Sequence, residues 1–104
     1  MDYRVVVTEE AEEDLNRFIQ YLLFIKKNHQ AAINVLDDFE DTVKMLKHVA
    51  GSLKMCDNPR LEELGYRRIS FQKHRYFILY RIENDVVYVD DIFHELQDYE
   101  NRMI

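Results

Sequence analysis

The chain is predicted to be an α+β domain: an N-terminal strand, a helical hairpin, a three-stranded antiparallel meander that completes a four-stranded sheet, and a short C-terminal helix. Three observations predict it. Apolar residues recur at helical spacing through the first half. β-branched and aromatic runs, separated by turn residues, fill the second half. A length of 104 residues, 47% of them hydrophobic, suffices for one core and one domain over residues 1–104.

Each element has its own signal. Tyr3–Val7 is a β-branched run and predicts a strand. Thr8 is placed to cap the helix that follows, and Glu9, Glu10, Glu12 and Glu13 sit where the helix dipole favours anions. Ala11, Leu15, Phe18, Leu22 and Ile25, with Ile19 beside them, form the apolar stripe of a helix of about 18 residues. Lys26-Lys27-Asn28-His29 interrupts the stripe, and Asn28 caps a second helix. Ala32, Val35, Leu36, Phe39, Val43, Leu46 and Ala50 mark its buried face, and Gly51 is placed as its C′ residue.

Ser52–Gly65 is a connector with a turn signal at Asp57-Asn58-Pro59. Tyr66–Phe71 is the next strand, and Gln72-Lys73-His74 turns it. Arg75–Ile82 contains the unbroken run Tyr76-Phe77-Ile78-Leu79-Tyr80, which predicts a central strand covered on both faces. Asn84-Asp85 is a tight turn into the strand Val86–Phe93. His94–Met103, with Leu96, Tyr99 and Met103 spaced along it, predicts the terminal helix.

The formal net charge of -6 hides a pattern. Residues 1–41 and 83–104 are strongly acidic, while residues 42–82 carry nine Lys/Arg against three Asp/Glu. Within the basic block, the stretch from Gly65 to Ile82 holds Arg67, Arg68, Lys73, Arg75 and Arg81, one histidine and no carboxylate. Cations gathered on one hairpin point to a negative partner: a nucleic acid, a phosphate-rich site or an acidic peptide. Screening limits each charge to roughly 8–10 Å, so the acidic flanks do not cancel the patch.

Other chemistry is poorly supported. Cys56 is the one cysteine, so an intramolecular disulfide is excluded and a reducing, cytoplasmic setting is expected. The apolar runs are too short to span a bilayer, and no signal peptide is expected. The four histidines are scattered without metal-ligand spacing, and no glycine-rich phosphate loop is present, so neither metal nor cofactor is expected.

The order of elements, together with Gly-Tyr-Arg-Arg-Ile, His-Arg-Tyr-Phe-Ile-Leu-Tyr-Arg-Ile and Ile-Phe-His-Glu-Leu-Gln-Asp-Tyr, resembles the RelE/ParE superfamily of bacterial type II toxins. The resemblance implies a cognate antitoxin. It also implies one of two targets: the ribosome, where RelE-like members cleave mRNA, or DNA gyrase, which ParE-like members inhibit without nuclease chemistry. An inactive scaffold that keeps only antitoxin binding is a third outcome.

Were the chain a nuclease, the 2′-hydroxyl would attack its own phosphate. A base, an acid and cations for the phosphorane would be needed. The catalytic candidates are then Arg67, Arg68, Arg75, Arg81 and His94, with Lys73, His74 and Tyr99 as substrate contacts. Arg67 and Arg68 are consecutive on a strand and point to opposite faces, whereas Arg75 and Arg81 share one. For Arg67, Arg68 and Arg81 the equal alternative is surface charge or an ion pair with the acidic segments. Compared with the family's ribonucleases, Phe77 stands where an arginine is common, and Glu95 where a tyrosine often follows the terminal histidine. An acidic amphipathic antitoxin segment is expected to use the apolar groove between helices and sheet together with the basic strand.

Overall fold

A computed structural model describes residues 2–97. Its order is β1 (Arg4–Val7), α1 (Glu9–Gln20), a π-helical turn (Tyr21–Ile25), α2 (His29–Val49), a 3-10 turn (Ala50–Ser52), α3 (Pro59–Glu63), β2 (Tyr66–Ser70), β3 (Tyr76–Glu83) and β4 (Val86–His94). The four strands form one sheet in the order β1-β4-β3-β2. The meander β2-β3-β4 is antiparallel, and β1 joins it parallel to β4.

The caps form as the sequence predicts. The Thr8 hydroxyl accepts from the Ala11 amide, and the Asn28 side chain accepts from the Ala31 amide. The helical hairpin covers one face of the sheet. Ala11, Ile19, Ala32, Val35, Phe39 and Leu46 pack there against Ile69, Phe71, Ile78, Tyr80, Val87, Val89 and Ile92. The other face carries a smaller cluster of Cys56, Leu61, Phe77, Leu79 and Phe93. Central strand β3 is therefore buried on both sides, which is why its apolar run does not alternate.

Opposite the pair Leu79–Asp91 the register shifts, so that Tyr80 pairs with Val89 and Asp90 becomes the extra residue of a bulge in β4. Asp90 bonds Arg81 and Tyr66 on the smaller face of the sheet.

Four expectations are corrected. The first helix does not run as one α-helix to Ile25. It widens at Tyr21, where the Lys26 amide donates to the Tyr21 carbonyl five residues back. The wider turn shifts the stripe out of phase, and Ile25 is 69% exposed rather than buried. Leu36 likewise sits at the surface of α2. Gly51 is not a left-handed C′ residue; it lies inside the 3-10 turn, where a Cβ would strike the Tyr3 hydroxyl. The connector holds a helix of its own: Asn58 caps it, Pro59 opens it, and Leu61 is fully buried beneath it. Burial of that leucine is worth about 1.5–3 kcal/mol, enough to hold a single turn in place. The expected terminal helix falls mostly outside the described residues; within them, His94 ends β4 and 95–97 form a turn.

Candidate functional site

Arg67 and Arg68 do point to opposite faces. Arg67 turns toward the helical layer, where its Nη1 donates to the carbonyls of Leu53 at 2.7 Å and Gly51 at 2.9 Å. Those carbonyls belong to the 3-10 turn that follows α2 and to the residue that ends it, where acceptors are left without helical partners. The arginine is a cap supplied from the sheet. Tyr80 works beside it, donating its hydroxyl to the Ala50 carbonyl at 2.8 Å. Burial, only partly offset by the nearby Arg67 charge, holds the Tyr80 hydroxyl in its protonated form far above the ordinary range.

Arg68 lies on the smaller face, its guanidinium 3.8 Å from the centre of the Phe77 ring. It borders a cavity of about 390 Å³ lined also by Leu53, Lys54, Met55, Cys56 and Asp57. Arg81 is engaged on three sides. Its Nε donates to Asp90 and its Nη1 to Glu83, each at 2.7 Å, and its plane covers the Tyr88 ring at 4.5 Å. Burial opposes its charge, but Asp90 and Glu83 outweigh that and raise its pKa. Asp90 also accepts from Tyr66 at 3.0 Å, and burial together with that carboxylate pushes the Tyr66 phenol up to about 12.

The remaining candidates gather at the other end of β3. Arg75 and Lys73 are exposed. His74 Nδ1 lies 2.6 Å from Asp38, whose carboxylate also accepts the backbone amides of Gln72 and Lys73, each at 2.9 Å. Burial alone would raise the Asp38 pKa; the His74 bond and the two amides more than reverse this and lower it. Asp38 is thus an acceptor, and His74 donates through Nδ1. Beside the pair is a cavity of about 320 Å³ lined by Asn34, Asp37, Asp38, Asp41, Lys73 and His74. His94 stands against Tyr76, ring edge to face at 5.2 Å, and its Nδ1 accepts the Leu96 amide at 3.2 Å. Tyr99 lies outside the described residues.

The candidates therefore do not converge. Arg75, in the bend before β3, and Arg81, near its end, are six residues apart and separated by roughly 20 Å of largely extended chain. The expectation that the hairpin presents its cations outward as one patch is corrected for Arg67 and Arg81. Charge counted along the chain missed that Asp90 of β4 folds back beside the basic strand, and that Glu83, the last residue of β3, pairs with Arg81 two positions before it.

One surface feature escaped the sequence reading. Tyr21, Phe24 and Ile25 of the π-helical turn are 48%, 68% and 69% exposed. With Arg17 and Gln20 they border a cavity of about 370 Å³, and Lys26 lies over the Tyr21 ring at 5.8 Å. The signal was present in Tyr21–Ile25, five apolar residues in a row, more than one helix face can bury. Among the described residues no helix is long and apolar enough to cross a membrane.

The comparisons agree with this architecture. The family model described as the ParE toxin of the type II toxin–antitoxin system parDE matches residues 5–99. Among solved structures, a chain of the chromosomal ParDE system from P. aeruginosa superposes with a TM-score of 0.70 at 19% identity, covering 88% of this chain and 95% of that one. No curated protein sequence matches. Membership implies a toxin role and a cognate antitoxin, and the match over nearly the whole domain decides it: the chain belongs to the ParE toxin family of type II toxin–antitoxin systems.

Proposed function

We propose that this toxin arrests growth by binding a protein target, DNA gyrase as in ParE-like members of the superfamily, and not by cutting mRNA. One observation carries the reading: two of the four arginines a phosphorane site would draw on are committed elsewhere, and a third stands apart from them. Arg67 caps backbone carbonyls, Arg81 is paired with Asp90 and Glu83, and Arg75 stands at the far end of β3 from Arg81. Protein binding needs surface instead, and the exposed Tyr21–Phe24–Ile25 patch supplies contiguous aromatic and aliphatic area. Purified toxin is expected to inhibit gyrase supercoiling and to leave mRNA intact in a reconstituted translation reaction. Cleaved message with normal supercoiling would reverse the assignment.

A second reading has its own observation. Asp38 holds the Nδ1–H of His74, which leaves Nε2 as a potential base near the exposed Lys73 and Arg75. On that reading the ribonuclease site is the β2–β3 turn, and His74→Gln abolishes mRNA cleavage. The same variant leaves gyrase inhibition unchanged on the first reading.

The antitoxin segment is assigned in the same proposal to the Tyr21–Phe24–Ile25 patch rather than to the basic strand. The neighbouring Lys26 and Lys27 suit an acidic amphipathic helix, whereas the side chains of Arg67 and Arg81 are already engaged.

A further inference from the structure

The sheet is open, and its two edges are β1 and β2. The β2 edge is covered. The connector pairs with it through Met55 and Arg67, and the Cys56 amide donates to the Tyr66 carbonyl at 2.9 Å. The β1 edge has no such cover. The Arg4 amide donates to the Asp85 carbonyl and the Thr8 amide to that of Val89, so by strand alternation the even residues of β1 turn their backbone groups to β4. The N–H and C=O groups of Val5 and Val7 then face away from the sheet. Among the described residues no loop or side chain hydrogen-bonds them. Edges are commonly blunted by a charge, a proline or a bulge, and Val5-Val6-Val7 has none of these.

The two ends of this edge carry opposite charge. Beyond Val7, α1 opens with Glu9, Glu10 and Glu12 in its first turn. At the other end the Tyr3 amide donates to the Lys47 carbonyl at 2.8 Å, which brings the basic last turn of α2, Lys47 and His48, alongside the exposed Arg4. Asp2 also lies there, bonded to His48. A parallel neighbour would set like charge against like. An antiparallel copy of the same edge sets Glu9 and Glu10 of each molecule against Lys47 and Arg4 of the other. We propose that two copies of this chain join by their β1 edges about a two-fold axis, continuing the sheet across the dimer. Val6 stands opposite its own symmetry mate, and Val5 opposite Val7 of the partner subunit. Each of the two Val5–Val7 pairs exchanges two backbone hydrogen bonds, as opposed residues in an antiparallel ladder do. The seam is short and buries little side-chain surface, so association is weak and grows with concentration.

The full chain, free of antitoxin, provides the test. In sedimentation equilibrium its mass should climb from 12.7 kDa toward twice that value between micromolar and millimolar concentration. A monomer throughout overturns the proposal. Once about nine copies in ten are paired, the Val5 and Val7 amides should exchange about tenfold more slowly with solvent, while that of Val6, already bonded to β4, stays unchanged. A dimer that leaves Val5 and Val7 unprotected has its interface elsewhere, which also overturns it. Val5→Pro removes an outward N–H and spares the ladder to β4, the kind of edge position proline accepts, and should weaken dimerisation by more than about tenfold. Glu9→Lys should weaken it as well, and Lys47→Glu in the same chain should restore it. Wild-type dimerisation by folded Val5→Pro, or a charge-swapped pair no tighter than Glu9→Lys alone, counts against the seam. Should Val5→Pro fail to fold, the exchange pattern and the charge swap decide.

Discussion

Arg67 shows how a charge expected at a phosphate becomes a structural bond. Its place on β2 and its face were legible, since strand alternation is strict. Its partner was not, because the acceptors are backbone carbonyls of a turn some 15 residues earlier, and carbonyls leave no mark in a sequence. Arg67→Ala is expected to destabilise the fold by about 1.5–3 kcal/mol, the range for hydrogen bonds from a charged donor, as read from a urea denaturation midpoint. A loss of toxicity with unchanged stability would return Arg67 to the functional surface. Asp38 was equally hidden: its helical position suggested nothing beyond α2, yet it holds the β2–β3 turn through two amides and His74. Its lowered pKa means the contribution is present above the unfolded value near 3.8 and is lost as pH falls through the folded one. Asp38→Asn should cost roughly 2–3 kcal/mol at neutral pH and flatten the acid limb of the stability curve below about pH 4. An acid limb identical to the wild type's would contradict this.

At the scale of elements, the strands, the two long helices and their caps follow from periodicity and turn chemistry. The departures share one cause: local register. A π-helical turn admits an extra residue, and every side chain after it is rotated away from the face that a 3.6-residue period assigns. That is why Ile25 stood in the expected core and Phe24 with Ile25 now forms a surface patch. The short α3 had a signal in Asn58-Pro59, a capping residue followed by proline at the first helical position. Because the patch contributes little to the core, Phe24→Asp with Ile25→Ser should change stability by no more than about 0.5 kcal/mol. The same pair should weaken antitoxin binding by more than about tenfold, measured by calorimetry, if the patch is the docking surface. Full-strength binding by a folded double variant would move the interface elsewhere.

Across the whole molecule, the three charge blocks are a fact of sequence that the fold partly cancels. The acidic third block supplies the end of β3, the turn after it and β4 beside it, so Glu83 and Asp90 neutralise Arg81. Fold class was readable because each element's pattern was consistent with its neighbours. The site was not, because site identity rests on which side chains meet across elements, and linear charge counts contain no such pairings. The parallel seam between β1 and β4 also sets the order in which the molecule can be completed. The Thr8 hydroxyl reaches a carbonyl 81 positions away, so the opening strand waits for the closing one. A chain emerging from its N-terminus holds one edge of the sheet long before it holds the middle, and its helices have little to cover until the meander arrives. The β1 strand thus has no partner in the sheet until β4 is made, and shortening the β3–β4 hairpin removes that seam.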